Sequence, residues 1–508
     1  MGEEKTVPKN GDGEICPTGI EGLDDILNGG LPRNSLYLIQ GDPGSGKTTL
    51  ALQFLLEGLR RGESVLYITL SETRRELLKN AASHGWSLEE LPVLELSATE
   101  DLTRPEVQTT VFHPSEVELN QLMRLLLEEA RKIRPTRVVL DSVSELKLMA
   151  ETPLRYRRQV LRLRQEFVKH KSTVVLLDDT IQEMQLCTEP HTQSIAHGVI
   201  ELTQHAPEYG ITRRRLRVAK LRGVQFHEGF HDFTIVRGGL RVFPRLIAAA
   251  HHKAVHHEAM SSGVKELDLL LGGGLDFGTT TLILGQAGTG KTSVALHYAD
   301  QMAKRGEGSI IFSFDENLSL LRTRAAALGL NLQKHLASGL IKAQQVDPAE
   351  LSPGEFARRI VGAVKEGCKL VVIDSLNGYL YAMPGEKYLH NQLHELSAYL
   401  NQQGALTIFI MAQHGLAGPA EAPVEISYLA DTVVTLRFFE AGGSMKQAIA
   451  VLKKRSGNHE RTIREFKLES GKGIRLGQPL KEFQGILSGT PVFQGNTQQI
   501  LTPSDAVH

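Results

Sequence analysis

Residues 18–31 of the chain read TGIEGLDDILNGGL, and residues 262–275 read SGVKELDLLLGGGL. The two stretches start 244 positions apart, and their similarity indicates an internal duplication. Matched pairs continue along the chain at a spacing of 244 or 233: Lys47 with Lys291, Glu72 with Glu316, Asp141 with Asp374, and Lys220 with Lys453. A period this long exceeds that of solenoid repeats, so each copy is predicted to be a complete domain.

The first copy alternates short runs rich in β-branched residues with stretches of helical periodicity. This alternation predicts a helix at 48–61 and strands at 35–40, 65–69, 136–141 and 174–177. The strand runs are apolar nearly throughout, which is typical of parallel sheets buried on both faces. We therefore predict an α/β fold of two tandem domains, each a mostly parallel sheet flanked by helices.

A phosphate-binding pattern, GxxxxGK[ST], occurs once in each copy. The first match is GDPGSGKT at 41–48 and the second is GQAGTGKT at 285–292, and each follows an apolar run and opens a predicted helix. In such a P-loop the glycines let backbone N–H groups face phosphate oxygens, and the helix N-terminus favours negative charge. The residues predicted to bind ATP are Gly44, Ser45, Gly46, Lys47, Thr48 and Thr49 in the first copy, and Gly288, Thr289, Gly290, Lys291, Thr292 and Ser293 in the second.

Two threonines and two aspartates are predicted to hold Mg²⁺ together with ATP. Thr48 and Thr292 close the P-loop motifs, and Asp141 and Asp374 each end an apolar run and precede a serine. The carboxyl ends of parallel strands face the nucleotide in a P-loop sheet, where an acid supports the metal ion. A single acid at a strand end is more often a helix cap, but its occurrence at both matched positions favours the metal role.

A further carboxylate is predicted near the terminal phosphate. The run after the P-loop helix ends in Ser71-Glu72 in the first copy and in Asp315-Glu316 in the second. A carboxylate there can orient water, or accept a hydroxyl proton, for in-line attack on phosphorus. Glu72, Asp315 and Glu316 are therefore the candidate catalytic residues, with capping of the following helix as the alternative role.

The paired P-loops, the lead-in TGxxxLDxxLxGGL, the acid-bearing strand ends and KLRG at 220–223 together resemble the KaiC family of circadian-clock ATPases. IREF at 463–466 and FQGILSGTP at 483–491 are similar to the C-terminal end of that family. The resemblance covers nearly the whole chain. It implies that the two domains are RecA-like ATPase domains, at 1–248 and 249–484, and that a tail follows at 485–508.

The same resemblance implies a homohexamer with ATP and Mg²⁺ bound between neighbouring subunits. The first copy would hydrolyse ATP and the second would phosphorylate itself on serine or threonine, in a signalling or timing role. Basic residues reaching the nucleotide of the neighbouring subunit map onto Lys220, Leu221 and Arg222 in the first copy, and onto Lys453, Lys454 and Arg455 in the second. A lysine and an arginine two apart on a strand point to the same side, where they can neutralise a phosphoryl group. A salt-bridged edge strand is the alternative interpretation.

The chain departs from the KaiC pattern at three places. In the first copy, Ser71 stands where the family has the first of two glutamates. In the second copy, Asp315 stands at the equivalent position, and its side chain is one methylene shorter than the family's glutamate. The family phosphorylates an adjacent serine and threonine, and the matching residues here are Ser427 and Tyr428. Because a phenol is longer and rigid, Ser427 is the predicted phosphorylation site and Tyr428 the poorer candidate.

Composition limits the other classes of function. Lysine plus arginine number 57 and aspartate plus glutamate 58, so the chain lacks an overall basic footprint and nucleic acid is not expected as a partner. The three cysteines, Cys16, Cys187 and Cys368, lie far apart, which argues against a zinc ribbon or a disulfide framework. The sequence contains no signal core and no run of about 18 apolar residues, so no membrane contact and a cytoplasmic location are predicted.

Two other functions stay open at this point. Locally basic stretches at 154–164 and 212–217 leave a DNA-stimulated ATPase of recombination as one alternative, although ion pairs at a subunit interface are the favoured use. The other alternative is a non-catalytic, ATP-dependent scaffold whose protein partners bind the C-terminal segment 485–508. The glycine, glutamine and serine content of that segment predicts a mobile tail.

Overall fold

The computed structural model describes residues 14–96, 114–179, 191–207, 210–248, 258–347, 349–381, 389–413, 428–487 and 491–494. By its internal contacts the chain divides into two compact units, Met1–Arg245 and Leu246–His508. This division falls close to the domain boundary predicted after residue 248. The two units are described separately below.

The first unit is an α/β fold. Its strands are β1 (Ile15–Cys16), β2 (Leu31–Pro32), β3 (Leu36–Gly41), β4 (Val65–Thr69), β5 (Val93–Glu95), β6 (Arg137–Asp141), β7 (Thr173–Asp179), β8 (Gly198–His205), β9 (Arg213–Leu221), β10 (His231–Val236) and β11 (Gly239–Phe243). Its helices are α1 (Leu23–Ile26), α2 (Lys47–Arg60), α3 (Arg74–Ser83), α4 (Pro114–Ile133), α5 (Val143–Ala150), α6 (Pro153–Lys169) and α7 (His191–Ile195).

The second unit repeats the pattern. Its strands are β12 (Ala259–Met260), β13 (Leu275–Asp276), β14 (Thr280–Gly285), β15 (Gly308–Ser313), β16 (Ile341–Gln345), β17 (Cys368–Asp374), β18 (Leu406–Ala412), β19 (Thr432–Ala441), β20 (Ser444–Lys454), β21 (Arg464–Glu469), β22 (Gly473–Pro479), β23 (Phe483–Gln484) and β24 (Val492–Phe493). Its helices are α8 (Lys265–Leu270), α9 (Lys291–Lys304), α10 (Leu318–Ala327), α11 (Leu332–Ala337), α12 (Pro353–Lys365), α13 (Leu376–Tyr381) and α14 (Leu389–Gln402).

Each unit is built on one nine-stranded sheet, and the two sheets have the same strand order. The first runs β11-β10-β9-β8-β3-β7-β6-β4-β5, and the second, written from the equivalent edge, runs β22-β21-β20-β19-β14-β18-β17-β15-β16. In the first sheet, parallel pairing joins neighbours in the order β8-β3-β7-β6-β4-β5. Antiparallel pairing joins neighbours in the order β8-β9-β10-β11. The predicted α/β fold with two mostly parallel sheets is confirmed.

The sheets are buried on both faces, as their apolar strands predict. In β3, Tyr37 and Ile39 belong to one buried cluster, and Leu36 and Leu38 belong to another on the opposite face. Because successive strand residues point to opposite faces, this alternation places helices on both sides. The P-loop strand is therefore the buried centre of each sheet, and its carboxyl end opens at the sheet edge where the candidate sites lie.

Local sequence signals set the helices that frame the sites. Thr73 caps α3 with a full capping box, in which its side chain and that of Glu76 bond each other's backbone N–H groups. Thr152 and Ser352 cap α6 and α12, and in both helices proline occupies the first turn. Such caps stabilise a helix by about 1 kcal/mol each and fix where it begins.

Part of the segment predicted as a mobile tail is packed within the second unit. Ile486 is buried beside Phe439, and β24 pairs antiparallel with β23. The Phe493 and Phe483 rings lie 5.2 Å apart. Three apolar side chains, those of Phe483, Ile486 and Phe493, anchor residues 483–487 and 491–494. The rest of the predicted tail lies outside the described residues.

Within the described part of the chain, no helix is both long enough and apolar enough to cross a membrane.

Candidate nucleotide-binding sites

The first P-loop joins the central strand of its sheet to a long helix. β3 ends at Gly41 and α2 begins at Lys47, so residues 42–46 form the loop. Gly46 has a φ of 103°, and a Cβ there would lie 2.7 Å from Ile235 Cδ1, so only glycine fits. No side chain caps the N-terminus of α2, which leaves the N–H groups of its first turn available to an anion.

The second P-loop repeats this geometry between β14 and α9. Gly290 has a φ of 95°, and a Cβ there would lie 2.9 Å from Phe466 Cε1. The N-terminus of α9 also lacks a side-chain cap. Both predicted phosphate loops therefore have the backbone shape and the free helix terminus that phosphate binding needs.

The other predicted loop residues lie in or beside these turns. Gly44 and Gly288 both have positive φ angles, and Ser45 and Thr289 are fully buried. Next to the helix starts, Ser293 is buried, and Thr49 Oγ1 lies 3.4 Å from His84 Nε2. The predicted loop residues are thus packed against the rest of their unit.

A threonine-to-aspartate hydrogen bond joins the two halves of each site. Thr48 Oγ1 donates to Asp141 Oδ2 at 3.0 Å, and Thr292 Oγ1 donates to Asp374 Oδ2 at 2.6 Å. The partners are 93 and 82 positions apart in the sequence, and the sheet brings them together. Hydroxyl and carboxylate oxygens are ligands of the kind that Mg²⁺ prefers, so these residues fit the predicted ion.

Both aspartates lie in surroundings that disfavour their negative charge. Burial raises the pKa of Asp141, and hydrogen bonds from Tyr67 and Thr48 oppose that rise. The Tyr67 hydroxyl donates to Asp141 Oδ2 at 2.5 Å. Burial also raises the pKa of Asp374, against the hydrogen bond from Thr292. A buried carboxylate of this kind gains stability from a nearby cation.

The two P-loop lysines have different surroundings. Lys47 Nζ lies 2.8 Å from the carbonyl oxygen of Gly41, 2.9 Å from that of Asp42 and 2.8 Å from Asp179 Oδ1. Lys291 Nζ donates to the carbonyl oxygen of Gln286 at 2.7 Å. Burial lowers the pKa of Lys291 to about 8, while the charge of Asp374 opposes the fall.

The backbone of each candidate catalytic glutamate accepts a hydrogen bond from a hydroxyl group three residues earlier. Thr69 Oγ1 donates to the carbonyl oxygen of Glu72 at 2.7 Å, and Ser313 Oγ donates to that of Glu316 at 2.6 Å. Burial, and then the charge of Asp141, raises the pKa of Glu72. The negative charge of the predicted magnesium acid therefore acts on Glu72.

The second copy adds partners to its acids that the first copy lacks. Glu316 Oε1 forms an ion pair with Arg324, 3.0 Å from its Nη2, whereas Glu72 forms no ion pair with any residue that the structure describes; neither Glu316 Oε1 nor Glu72 Oε2 has a hydrogen-bond partner there. Burial raises the pKa of Glu316, and the charge of Arg324 opposes that rise. Asp315 accepts a hydrogen bond from the hydroxyl of Ser375, the residue that follows the predicted magnesium acid Asp374.

The predicted trans-acting residues lie at the end of the strand next to β8 or β19, or directly after it, away from the P-loop of their own copy. Lys220 pairs with Val199 near the start of β8, whereas the P-loop follows the end of β3. Lys220 Nζ donates to two carbonyl oxygens before β8, those of Gln193 and Ala196, both at 2.7 Å. Arg222 Nη2 donates to the carbonyl oxygen of Ser194 at 3.4 Å.

The second copy places its basic residues in the same way. Lys453 Nζ donates to the carbonyl oxygen of Ala430 at 2.8 Å, and Arg455 lies beside Asp431. Lys454 differs, because its Nζ lies 3.2 Å from Asp276 and only 3% of its side chain is exposed. Leu221, at the matched position of the first copy, is also buried. The middle residue of each triplet thus packs inside its own unit.

Ser427, the predicted phosphorylation site, lies outside the described residues. Tyr428 is the first residue described after that gap, and 49% of its side chain is exposed. Its ring stacks on that of His394, with the centroids 6.3 Å apart.

Three residues that touch the candidate sites were not predicted from the sequence: Asp179, Tyr67 and Arg324. Each of them differs between the copies, since Ala412, Ile311 and Asn80 stand at the matched positions. A comparison of the two copies position by position would have singled them out as departures.

Comparison with known proteins gives the family. A family model described as "ATPase: KaiC" matches residues 16–247 and again 260–481. The chain is 28% identical over 481 residues to the circadian clock oscillator protein KaiC of Acaryochloris marina, covering 93% of this chain and 90% of the relative. It is 28% identical to KaiC of Synechococcus elongatus, over 93% of this chain and 91% of the relative. It is 27% identical to the circadian clock protein KaiC3 of a Synechocystis strain, over 96% of both chains. The duplicated P-loop sheets and these matches along both copies establish that the chain belongs to the KaiC family of ATPases.

Proposed function

We propose that the chain binds Mg-ATP at both P-loops and hydrolyses it. The observation that carries this proposal is the threonine-to-aspartate hydrogen bond beside an uncapped glycine loop, present at both Thr48–Asp141 and Thr292–Asp374. Those four residues would hold the magnesium ion, Thr48 and Thr292 directly and the two aspartates in support. When bound, Mg²⁺ supplies neutralising charge at the phosphate oxygens.

In the proposed reaction the protein positions the reactants. Backbone N–H groups of the loops and the lysines Lys47 and Lys291 bind the triphosphate oxygens. Glu72 orients water for in-line attack in the first site, and Glu316 does the same, or accepts a hydroxyl proton, in the second. A raised pKa makes each glutamate a stronger proton acceptor than an exposed one.

We also propose that Lys220 and Arg222, with Lys453 and Arg455 in the second copy, serve the nucleotide of a neighbouring subunit. Lys220 and Lys453 donate to backbone carbonyls near the amino ends of the parallel strands, whereas their own P-loops lie at the carboxyl ends. This placement argues against a role at the nucleotide of their own subunit. In a ring, each subunit can supply these cations to the nucleotide of the next subunit, where they neutralise phosphoryl charge. A homohexamer is the assembly that we propose.

In the second copy we propose serine autophosphorylation, with Ser427 as acceptor and Tyr428 as the poorer one. Two carboxylates, Asp315 and Glu316, support it, because proton acceptance from a hydroxyl needs a nearby base. Asp315 takes a hydrogen bond from Ser375 and Glu316 pairs with Arg324, so both carboxylates are held in place. Nucleotide-driven change in such a ring suits a signalling or timing role.

The alternatives have less support. The basic residues Arg215 and Arg217 form ion pairs within the chain, with Asp232 at 3.5 Å and Glu201 at 2.5 Å, which uses charge that DNA would need. A non-catalytic scaffold leaves the glutamates near both magnesium acids without a purpose. Protein partners at the C-terminal segment are compatible with the ATPase and are proposed with it.

The test compares Lys47→Ala, Lys291→Ala and the double variant with the parent chain. Release of ADP should fall in each single variant and disappear in the double variant, with and without added DNA. Native mass spectrometry with Mg-ATP should show six subunits, and phosphosite mapping of the same sample should find phosphate on Ser427. Activity that survives in the double variant, or that requires DNA, contradicts the proposed ATPase. A folded, ATP-loaded hexamer without phosphate on Ser427 contradicts the autokinase alone.

A further inference from the structure

Three oxygen atoms surround the ammonium group of Lys47, all within 2.9 Å of Nζ. They belong to the backbone carbonyls of Gly41 and Asp42 and to the carboxylate of Asp179. Two of the three N–H donors of Lys47 bond the backbone carbonyls, and its charge pairs with the Asp179 carboxylate. A phosphate oxygen that binds Lys47 therefore competes with these contacts, and with the Asp179 carboxylate for the charge of the lysine.

Asp179 is fixed in position beside the lysine. It is the last residue of β7 and pairs in register with Gly41, the first residue of the P-loop motif. Its N–H donates to Ser144 Oγ at 3.0 Å, which holds the backbone. Among the three groups around Lys47 Nζ it alone carries a full charge, and its side chain is the only one that can rotate away.

The duplication provides an internal comparison. Ala412 is the last residue of β18 and pairs in register with Gly285, so it takes the place of Asp179 in the second copy. Lys291 has one backbone acceptor, Gln286, and makes no ion pair with any residue that the structure describes. The P-loop itself therefore does not require the acid, and Asp179 is an addition specific to the first site.

We infer that Asp179 competes with the terminal phosphate of ATP for Lys47 and biases the first site toward the diphosphate. This inference rests on the proposed function, in which Lys47 contacts the β- and γ-phosphates. Binding of ATP separates Lys47 from Asp179 and leaves the carboxylate next to phosphate oxygens of the same charge, which repel it. A diphosphate brings less charge to this position, so the penalty is smaller for ADP than for ATP.

The test isolates the first site by placing Lys291→Ala in every protein compared. Isothermal titration in the presence of Mg²⁺ then measures binding of AMP-PNP and, separately, of ADP. Asp179→Asn keeps the shape of the side chain and removes its charge. We expect the Kd for AMP-PNP to fall about tenfold and the Kd for ADP to change less.

The matched control adds the acid where it is absent. Ala412→Asp, in a chain carrying Lys47→Ala, should weaken AMP-PNP binding at the second site. Unchanged or weaker AMP-PNP binding in Asp179→Asn, or undiminished binding in Ala412→Asp, overturns the competition and leaves nucleotide binding in place. If the first site takes up no nucleotide in either Asp179→Asn or its parent, the competition and the proposed function fail together. Should Asp179→Asn fail to fold, Asp179→Ser replaces it under the same criteria.

Discussion

Arg324 Nη2 lies 3.0 Å from Glu316 Oε1, and this ion pair exists in only one of the two candidate sites. At the matched position of the first copy, 244 residues earlier, stands Asn80, and Glu72 has no ion pair within the described residues. The guanidinium favours the ionised form of Glu316, because opposite charges lower the pKa of a carboxyl group. The two copies thus hold the same acid in different electrostatic surroundings.

Arg324→Ala should therefore move the acid limb of second-site activity to higher pH, by roughly 0.5 on the pH scale, since the pair is partly exposed. The measurement is ADP release as a function of pH in a chain carrying Lys47→Ala. Asn80→Arg, in a chain carrying Lys291→Ala, should move the acid limb of the first site to lower pH. Acid limbs that stay in place in both variants would show that Arg324 does not act through Glu316.

A second prediction concerns a buried arginine that belongs to the first unit alone. The Arg137 side chain is fully buried, donates to the carbonyl oxygens of Pro17 and Phe54 at 2.7 and 2.8 Å, and lies 2.6 Å from Glu63. Burial alone would raise the pKa of Glu63, but hydrogen bonds from Arg137 and Arg33 outweigh it and lower the pKa to about 2. In the second copy Leu370 stands at the matched position.

Arg137→Leu should destabilise the first unit by about 3–5 kcal/mol, because two buried carbonyls lose their partner and the partly buried Glu63 keeps only Arg33. Trp86 is the single tryptophan of the chain, so its fluorescence in urea reports on the first unit. Arg124→Ala removes an exposed pair with Glu128 and should change the free energy of unfolding by less than about 0.5 kcal/mol. Equal losses of unfolding free energy in the two variants would contradict the stabilising role predicted for Arg137.

His231 should make the first unit sensitive to mild acid. Its ring is buried, with Nε2 3.0 Å from the carbonyl oxygen of His227 and Nδ1 accepting from the N–H of Arg245 at 2.8 Å. Burial lowers the pKa of His231 to about 4, against a backbone hydrogen bond that opposes the fall. The neutral ring is thus the folded form, and protonation between pH 6.5 and 4 favours unfolding.

The stability that His231 supplies should be fully present above pH 6.5 and should be lost as the pH falls to 4, by on the order of 2 kcal/mol. His231→Gln should remove that part of the pH dependence, as measured by Trp86 fluorescence in urea at several pH values. A variant whose stability falls as steeply as that of the parent over this range would refute the prediction.

The local motifs of the site were readable from the sequence, and the contacts between strands were not. A P-loop is a run of eight residues whose backbone shape depends on its own glycines, such as Gly46 and Gly290. The sequence alone therefore predicts where each loop lies. The contact between Lys47 and Asp179 depends on which strands are neighbours, and the sequence does not encode that order locally. The strand predicted at 174–177 in fact spans Thr173–Asp179.

The extra strand residues have a physical reason. Asp178 and Asp179 are charged, which is typical of a loop, yet the carboxyl end of this central strand supplies partners for both. Lys147 Nζ bonds both oxygens of Asp178 at 2.7 Å, and Lys47 pairs with Asp179. Tertiary ion pairs therefore overrode the local preference of the residues. The order of nine strands in each sheet likewise required the structure.

The last prediction concerns the phenol that the first site alone places on its magnesium acid. The Tyr67 hydroxyl donates to Asp141 Oδ2, the same oxygen that accepts from Thr48, whereas Ile311 occupies the matched position of the second copy. A hydrogen bond to a carboxylate oxygen competes with a cation for its lone pairs. Tyr67→Phe, with Lys291→Ala to silence the second site, should therefore reach half-maximal ATP hydrolysis at roughly threefold lower Mg²⁺ at pH 8. Tyr37→Phe is the matched control, because the Tyr37 hydroxyl donates to the carbonyl oxygen of Pro32 in the same unit and should leave the Mg²⁺ requirement unchanged. A Mg²⁺ requirement that rises or stays constant in Tyr67→Phe would mean that Asp141 does not support the ion through this oxygen.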